Sequence, residues 1–127
     1  MFDGSPETDK VIPAFVKALA EMDDVTQNKK VEAGPMRYKY ADLSAVLDAT
    51  RPALRTHGLG LSQYPSDDGI TTVIFHESGQ YLEFPALNIE PMGRDPQKVG
   101  SAISYARRSS VLSSLGVATE DVDGRKA

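Results

Sequence analysis

A single helix with its own start and stop signals constrains the fold of this chain more than any other feature. Asp95 is a favourable N-cap residue and the proline after it suits the first helical position, while Gly116 can adopt the left-handed conformation that ends a helix. The side chains between them are unusually small, and three cations stand among them: Lys98, Arg107 and Arg108. The sequence therefore predicts a positively charged helix at this position.

The small side chains give the two adjacent arginines a functional meaning. Gly, Ser and Ala on a helix let another backbone come close, while guanidinium groups can meet phosphate oxygens in a bidentate manner. Arg107 and Arg108 are about 100° apart around a helix, so at most one of them can point squarely into a groove. A structural alternative is that they pair with sheet carboxylates such as Glu83 or Glu90.

Three strands joined by tight turns precede this helix. Their period-two patterns and turn residues place them at about residues 59–64, 70–76 and 80–89. Because each connection is short, consecutive strands are expected to pair side by side. The sequence therefore predicts an antiparallel β-meander followed by the charged helix.

Two helices and one basic extended segment come before the meander. They are expected at residues 8–25, 29–40 and 42–57, with the extended segment in the middle. Thr8 or Asp9 is expected to cap the first helix and Asp42 the second, and Pro52 is expected to kink or split the second. The order predicts an α+β fold in which an antiparallel meander packs against helices on one side.

Charge is distributed unevenly along the chain. The net charge is -4, yet residues 29–58 hold six basic and three acidic side chains, and residues 91–115 hold four basic and one acidic. Residues 59–90 hold five acidic side chains and no basic one. The two positive segments either converge into one nucleic-acid track or remain two ordinary solvated faces. In the first segment, strand alternation puts Arg37 and Lys39 on one face.

Composition excludes several classes of protein. At 127 residues and 13.7 kDa the chain is expected to form one domain over residues 1–127. The absence of cysteine excludes a disulfide scaffold, a thiol nucleophile and a Cys-ligated zinc, and it fits a reducing cytoplasm. No apolar run has the length of a membrane span, and the acidic start is not that of a signal peptide.

Catalytic motifs are missing from the sequence as well. It contains no Walker A motif and no Gly-rich dinucleotide loop. His57 and His76 have no carboxylate or serine at a diagnostic spacing, and the acidic segment 120–124 lacks the spacing and the closing glutamate of a calcium loop. The sequence therefore predicts no catalytic residue, no metal site and no cofactor.

Two groups of residues resemble one known family. The run Asp95-Pro96-Gln97, Gly100-Ser101-Ala102 and Ser104-Tyr105-Ala106-Arg107-Arg108, with a later Leu-Gly step and an Asp-x-Asp-Gly close, is similar to the signature of the essential recombination function (ERF) family of single-strand annealing proteins. The front half adds Tyr38-Lys39-Tyr40-Ala41-Asp42-Leu43, Arg51-Pro52-Ala53-Leu54 and Gly58-Leu59. The resemblance covers about residues 9–124. It departs from the family at Ser104, where threonine is common, and at Ser109, where an aromatic residue is usual.

The resemblance implies a function and a site. It implies binding of single-stranded DNA without ATP and annealing of complementary strands, in phage-type recombination within the cytoplasm of a bacterial host. It also implies a homo-oligomeric ring or filament and a β-β-β-α core like that of recombination mediators, with no catalytic residue and no membrane partner. Carried over by position, the DNA-binding residues are Arg107, Arg108, Arg37 and Lys39. Lys98 joins them because it lies on the same helix.

Two other functions remain open at this stage. The first is a metal-dependent nucleic-acid-processing enzyme that uses the C-terminal carboxylates, with Arg107 as a phosphate clamp. The second is a protein-interaction module whose basic faces bind an acidic partner. A magnesium-dependent cleavage assay separates the first from an annealing protein, because annealing leaves strand length unchanged. Competition by single-stranded DNA separates the second.

Overall fold

A computed structural model describes residues 3–67, 69–89 and 93–120 of the chain. Within these ranges it contains three helices and eight strands, several of them only two residues long. In chain order the elements are β1 (Asp3–Gly4), α1 (Val11–Ala20), β2 (Val25–Thr26), β3 (Lys29–Ala33), β4 (Met36–Tyr40), α2 (Leu43–Thr56), β5 (Leu59–Ser66), β6 (Gly69–His76), β7 (Tyr81–Leu87), α3 (Pro96–Leu115) and β8 (Thr119–Glu120). The predicted α+β class is confirmed.

The main sheet is the predicted antiparallel meander with one added strand. Strands β5, β6 and β7 are antiparallel neighbours in sequence order, and the short β1 pairs with the outer edge of β7. Gly69 and Gly79 end the two turns with φ values of 130° and 94°, a region that residues with a side chain rarely adopt. The sequence did not predict β1, β2 or β8, because pairs of two residues carry no periodic signal.

The helices pack against one face of this sheet and form the core with it. The sheet contributes inward-facing residues from three strands, among them Leu59, Ile74 and Leu82. Helix α1 contributes an apolar stripe to this core: Val11 and Ala18 are buried, and Phe15 and Leu19 pack against them, as does Met22 just after the helix. Burial of this common apolar surface holds the elements together.

The ends of the two later helices are formed as the sequence predicts. The side chain of Asp42 accepts a hydrogen bond from the backbone N–H of Ala45, and that of Asp95 accepts one from Lys98, each at 2.9 Å. Helix α3 ends at Gly116, which has the left-handed φ of 66°. These local caps fix where α2 begins and where α3 begins and ends.

The predicted cap of α1 is wrong. The helix begins at Val11, and neither Thr8 nor Asp9 caps it. Instead the side-chain carbonyl of Gln80, in the β6–β7 connection, accepts hydrogen bonds from the backbone N–H groups of Lys10 and Val11 at 2.8 and 2.9 Å. A residue this distant in sequence satisfies the free donors of the first turn, so local capping patterns could not reveal it.

Pro52 does not split α2, contrary to the prediction. The helix is continuous from Leu43 to Thr56, and Pro52 lies on its exposed side. The opposite side is buried in the core through Val46 and Leu54. Packing of an apolar face supplies most helix stability in proteins, so it offsets the one backbone hydrogen bond that the proline removes.

Candidate nucleic-acid interface

A groove separates the β3–β4 hairpin from helix α3. Alternation along the hairpin directs Val31, Tyr38 and Tyr40 toward the helix. Helix α3 contributes one stripe to the other wall, with side chains spaced three and four residues apart: Ser101, Ser104, Tyr105 and Arg108. These residues enclose a cavity of about 280 Å³. The small serines keep the floor of the groove open between the larger aromatic walls.

Arg108 joins the two walls of the groove. Its guanidinium carbon lies 4.5 Å from the centroid of the Tyr40 ring and 5.2 Å from that of Tyr105. A cation placed over aromatic faces in this way is attracted by the ring quadrupoles, and the planar guanidinium can also stack on them. These aromatic contacts hold the positive charge at the groove.

Asp42 lies close to this cation at the end of the hairpin. Its pKa is lowered from the ordinary value of 3.8, chiefly by the hydrogen bond from the backbone of Ala45, with further lowering by Asn28, Lys29 and Arg108. The carboxylate is therefore charged and already serves as the cap of α2. It orders the junction between the hairpin, α2 and the arginine of α3.

The groove continues toward the start of α3 as a wider cavity of about 770 Å³. The wider cavity shares Tyr38, Ser101 and Tyr105 with the narrower one, so the two adjoin along the helix. Lys98 lies on its wall, with its ammonium group 3.9 Å from the carboxylate of Asp95. The groove thus carries a cation at each end of an aromatic stretch.

Arg107 points in a different direction from Arg108, as their 100° separation predicts. It lies against strand β5, where its Nε donates a hydrogen bond to the side-chain carbonyl of Gln63 at 3.3 Å. The amide nitrogen of Gln63 donates in turn to the backbone carbonyl of Arg107 at 2.9 Å and to Thr72 at 3.1 Å. Thr72 is also hydrogen-bonded to Ser110 at 2.6 Å. Arg107 is therefore held at the edge of the sheet.

The alternative that the two arginines pair with carboxylates of the sheet does not hold at Glu83. The carboxylate of Glu83 accepts a hydrogen bond from the hydroxyl of Tyr64 at 2.8 Å, on the opposite face of the sheet from α3. Arg107 contacts Gln63 instead, and Glu90 lies outside the described residues. Both arginines therefore have neutral partners in the contacts that position them.

Arg37 and Lys39 share one face of β4, as predicted, but this face is turned away from α3. They are paired across the hairpin with Glu32 and Lys30, while the tyrosines of the same strand face the groove. Arg37 also forms an ion pair with Glu32 at 3.4 Å. The two cations therefore do not line the groove that holds Arg108, and their contact with DNA stays a prediction.

The aromatic lining of the groove is the part that sequence reasoning missed. Period-two alternation in residues 36–40 already placed Tyr38 and Tyr40 on a common face, but nothing in the sequence showed what that face meets. Tyr105, three residues before Arg108, had the right helical spacing to join the same stripe. Gln63 carried no signal, because its role depends on a contact with a helix 44 residues away.

Neither a metal centre nor a membrane span is found in the part of the chain that the structure describes. No group of three or more His, Asp or Glu side chains there is placed to hold a metal ion. No helix there is both long and apolar enough to cross a bilayer. The acidic segment at residues 121–124 lies outside the described residues.

One comparison with known proteins gives a match. The model of the ERF superfamily matches residues 13–127, which is nearly the whole chain and includes every residue of the groove. No match was found among curated proteins or among solved structures.

Proposed function

The chain belongs to the ERF superfamily, which implies single-strand annealing in recombination, and on this premise we propose that it binds single-stranded DNA without ATP and anneals complementary strands. The proposal assigns this activity to the chain as one domain in phage-type recombination. It assigns no catalytic residue and no cofactor.

The observation that supports this function is the combination of aromatic walls and end cations in one groove. Single-stranded DNA is bound without sequence preference where bases stack on aromatic rings and the backbone meets positive charge. Tyr38, Tyr40 and Tyr105 supply rings, and Lys98 and Arg108 supply cations at the two ends. The proposed ligand thus matches the groove both in shape and in charge.

The groove also suggests how annealing proceeds. A base that stacks on a tyrosine uses its flat face, so its pairing edge remains free for a complementary strand. Phosphates held by Lys98 and Arg108 keep neighbouring bases in an extended register. The protein then lowers the entropic cost of pairing by ordering one strand in advance, and it needs no bond-breaking chemistry.

Arg107 is proposed to bind DNA outside the groove. Its Nε is engaged by Gln63, and among the described residues the two terminal nitrogens of the guanidinium have no partner, in the fork geometry that suits phosphate. From the edge of β5, this side chain would guide the strand beyond the groove. Binding at both places explains why the family signature carries two arginines side by side.

Annealing requires more nucleotides in register than one groove of this length can hold. We therefore propose a homo-oligomer, in which grooves repeat around a ring or along a filament. Repetition multiplies a weak local contact by raising the effective concentration of each following segment of the strand.

A matched pair of tyrosine variants tests the proposed function. Tyr38 and Tyr64 have similar exposures, 47% and 39%, but only Tyr38 lies in the groove. Tyr38→Ala is expected to weaken binding of a fluorescent single-stranded oligonucleotide that fits one groove by about 1–3 kcal/mol, whereas Tyr64→Ala should leave the binding of this short oligonucleotide unchanged. Binding is measured by fluorescence anisotropy, and annealing is followed without ATP and in the presence of a chelator.

The same preparation separates the alternatives. Shortening of the strands in magnesium would show a nuclease, whereas an annealing protein leaves their length unchanged. Equal effects of the two tyrosine variants would show that the groove is not the DNA-binding surface. Failure of unlabelled single-stranded DNA to compete would favour a protein-interaction module.

A further inference from the structure

The main sheet has one face that no described helix covers. Core residues such as Leu59, Ile74 and Leu82 all lie on the face that packs against the helices. The alternate residues face the other way, and Val73 in the central strand is buried although it lies outside the core cluster. On that outer face the hydroxyl of Tyr64, in β5, reaches across β6 to the carboxylate of Glu83, in β7, at 2.8 Å.

The outer face is acidic and aromatic. Its side chains, given by the register, include Asp3, Tyr64, Phe75, Tyr81 and Glu83, which we call the acidic face. Phe75 and Tyr64 are 47% and 39% exposed, and the rings of Phe75 and Tyr81 lie 6.1 Å apart. None of the side chains that the described strands β1, β5, β6 and β7 place on this face is a lysine or an arginine.

The β3–β4 hairpin has the complementary surface. Its side turned away from α3 holds Lys30, Glu32, Arg37 and Lys39, which we call the basic face. Three cations and one carboxylate leave this small area with a net positive charge. Lys30 and Arg37 both form ion pairs with Glu32, at 2.9 and 3.4 Å, and their side chains remain 64% and 74% exposed, so one carboxylate is shared by two surface cations.

On each face, two side chains of like charge lie directly opposite each other on neighbouring strands. Asp3 is the register partner of Glu83, and Lys30 is the register partner of Lys39. Like charges in such positions destabilise a sheet pair. Glu32 already offsets part of the repulsion on the hairpin through its ion pair with Lys30 at 2.9 Å. A docked surface of opposite charge would relieve more of the repulsion on both faces.

The two faces lie at opposite ends of the molecule. Helix α3 packs on the inner face of the sheet through Ala106, Ser110 and Val111, and the tyrosine side of the hairpin faces the same helix from beyond the groove. The order of layers is therefore acidic face, sheet, α3, groove, hairpin and basic face. Copies that meet through the two ends associate head to tail.

We propose that the acidic face of one copy binds the basic face of a second copy of this chain. Lysine and arginine side chains of the hairpin meet the carboxylates of Asp3 and Glu83 and lie over the exposed rings of Tyr64 and Phe75. The contact is heterologous, so it repeats into a closed ring or an open filament. The inference rests on the proposed function for the need to assemble, and it names the surfaces that do so.

A charge-swap experiment tests this interface. Asp3→Lys/Glu83→Lys makes the acidic face basic, and Lys30→Glu/Lys39→Glu makes the basic face acidic. Each variant alone is expected to weaken self-association by more than about tenfold, because like charges then meet at every contact. An equimolar mixture is expected to associate like the parent, because every contact again joins opposite charges. Mass is measured by sedimentation velocity without DNA.

A control variant separates the interface from overall charge. Asp23→Lys/Asp48→Lys changes the net charge as much as the first variant does, but at exposed positions on neither face. It should associate like the parent, and circular dichroism should show every variant folded. A monomeric parent at micromolar concentration, parent-like association of either swapped variant, or a mixture that stays dissociated would overturn the proposal.

Binding of a short oligonucleotide distinguishes this inference from the proposed function. The variant Asp3→Lys/Glu83→Lys retains the groove and every cation predicted to bind DNA, so its affinity for an oligonucleotide that fits one groove should not fall below that of the parent. An assembly that forms through these faces but binds no DNA would contradict the proposed function and leave the interface standing. A protein that binds and anneals DNA but does not associate through these faces would contradict the interface and leave the proposed function standing.

Discussion

The guanidinium carbon of Arg108 lies 4.5 Å from the centroid of the Tyr40 ring, so a cation of the last helix rests on a hairpin far earlier in the chain. This contact places positive charge and an aromatic surface at the same point of the groove. Tyr105 completes the arrangement from the helix side, at 5.2 Å from the same guanidinium carbon. The groove thus depends on two segments that the sequence presents separately.

Arg108→Ala is expected to weaken binding of single-stranded DNA by about 1–3 kcal/mol, because it removes a charge-assisted contact to phosphate. The slope of log affinity against log salt should flatten by about 0.7. Arg108→Lys should restore the salt slope but not the full affinity, since an ammonium group lacks the planar fork and stacks poorly on Tyr40. Anisotropy titrations at several salt concentrations measure both quantities.

Arg51→Ala is the matched control for this prediction. Arg51 is an exposed arginine of α2 that lies outside the groove. Its removal should change neither the affinity nor the salt slope beyond the effect of one distant charge. Equal losses in Arg51→Ala and Arg108→Ala would mean that net charge, and not the groove, governs binding.

Gln63→Ala is expected to reduce DNA binding through Arg107. Gln63 holds the arginine by two hydrogen bonds, at 2.9 and 3.3 Å, so its removal should release the guanidinium from the edge of the sheet. In a double-mutant cycle, Gln63→Ala and Arg107→Ala should show a coupling of about 0.5–3 kcal/mol, as residues in direct contact do. Oligonucleotide affinity is the quantity measured.

The same cycle with Arg108→Ala provides the control, because Arg108 shares no partner with Gln63 among the described residues and lies at the groove. Those two effects should add. Strict additivity of Gln63→Ala with Arg107→Ala would show that the glutamine does not position this arginine. Thermal melting should accompany each measurement, since Gln63 also bonds Thr72 inside the fold.

Arg37→Ala/Lys39→Ala is expected to slow annealing while leaving the melting temperature nearly unchanged. Both side chains are exposed on a hairpin face turned away from the groove, and substitutions of this kind usually cost within about 0.5 kcal/mol. Affinity for an oligonucleotide that fits one groove separates the two roles of these cations, because it stays at the parent value if they act only in assembly. A loss of that affinity would show that these cations contact DNA directly.

Local signals predicted most of the fold. The caps at Asp42 and Asp95 and the helix end at Gly116 each depend on one or two residues and their neighbours. Such features are visible in a sequence because backbone geometry and short-range hydrogen bonds decide them. The cap of α1 was missed because Gln80 supplies it from a distant turn.

The candidate site was predicted less completely, because it depends on which faces meet. Alternation gave two faces of the hairpin, one cationic and one with tyrosines, and charge alone favoured the cationic face as the DNA surface. The structure places Tyr38 and Tyr40 against α3 instead, beside Arg108. Only the relative placement of hairpin and helix, a tertiary property, separates these two interpretations.

Asp42→Asn is expected to remove an acid-sensitive part of the stability while keeping the helix cap. The pKa of Asp42 is held below 3.8 in the folded protein, chiefly by the backbone N–H of Ala45, so its charged form favours folding. That contribution is fully present above the unfolded value and is lost as the pH falls through the lower folded value. The stability difference between parent and Asp42→Asn should therefore shrink in acid.

Asp42→Ala, which also loses the cap, should cost about 1 kcal/mol at neutral pH. Urea unfolding across the acid range measures this, with Asp48→Asn on the same helix as the charge control. An acid limb that is identical in the parent and in Asp42→Asn would show that this carboxylate does not contribute to it.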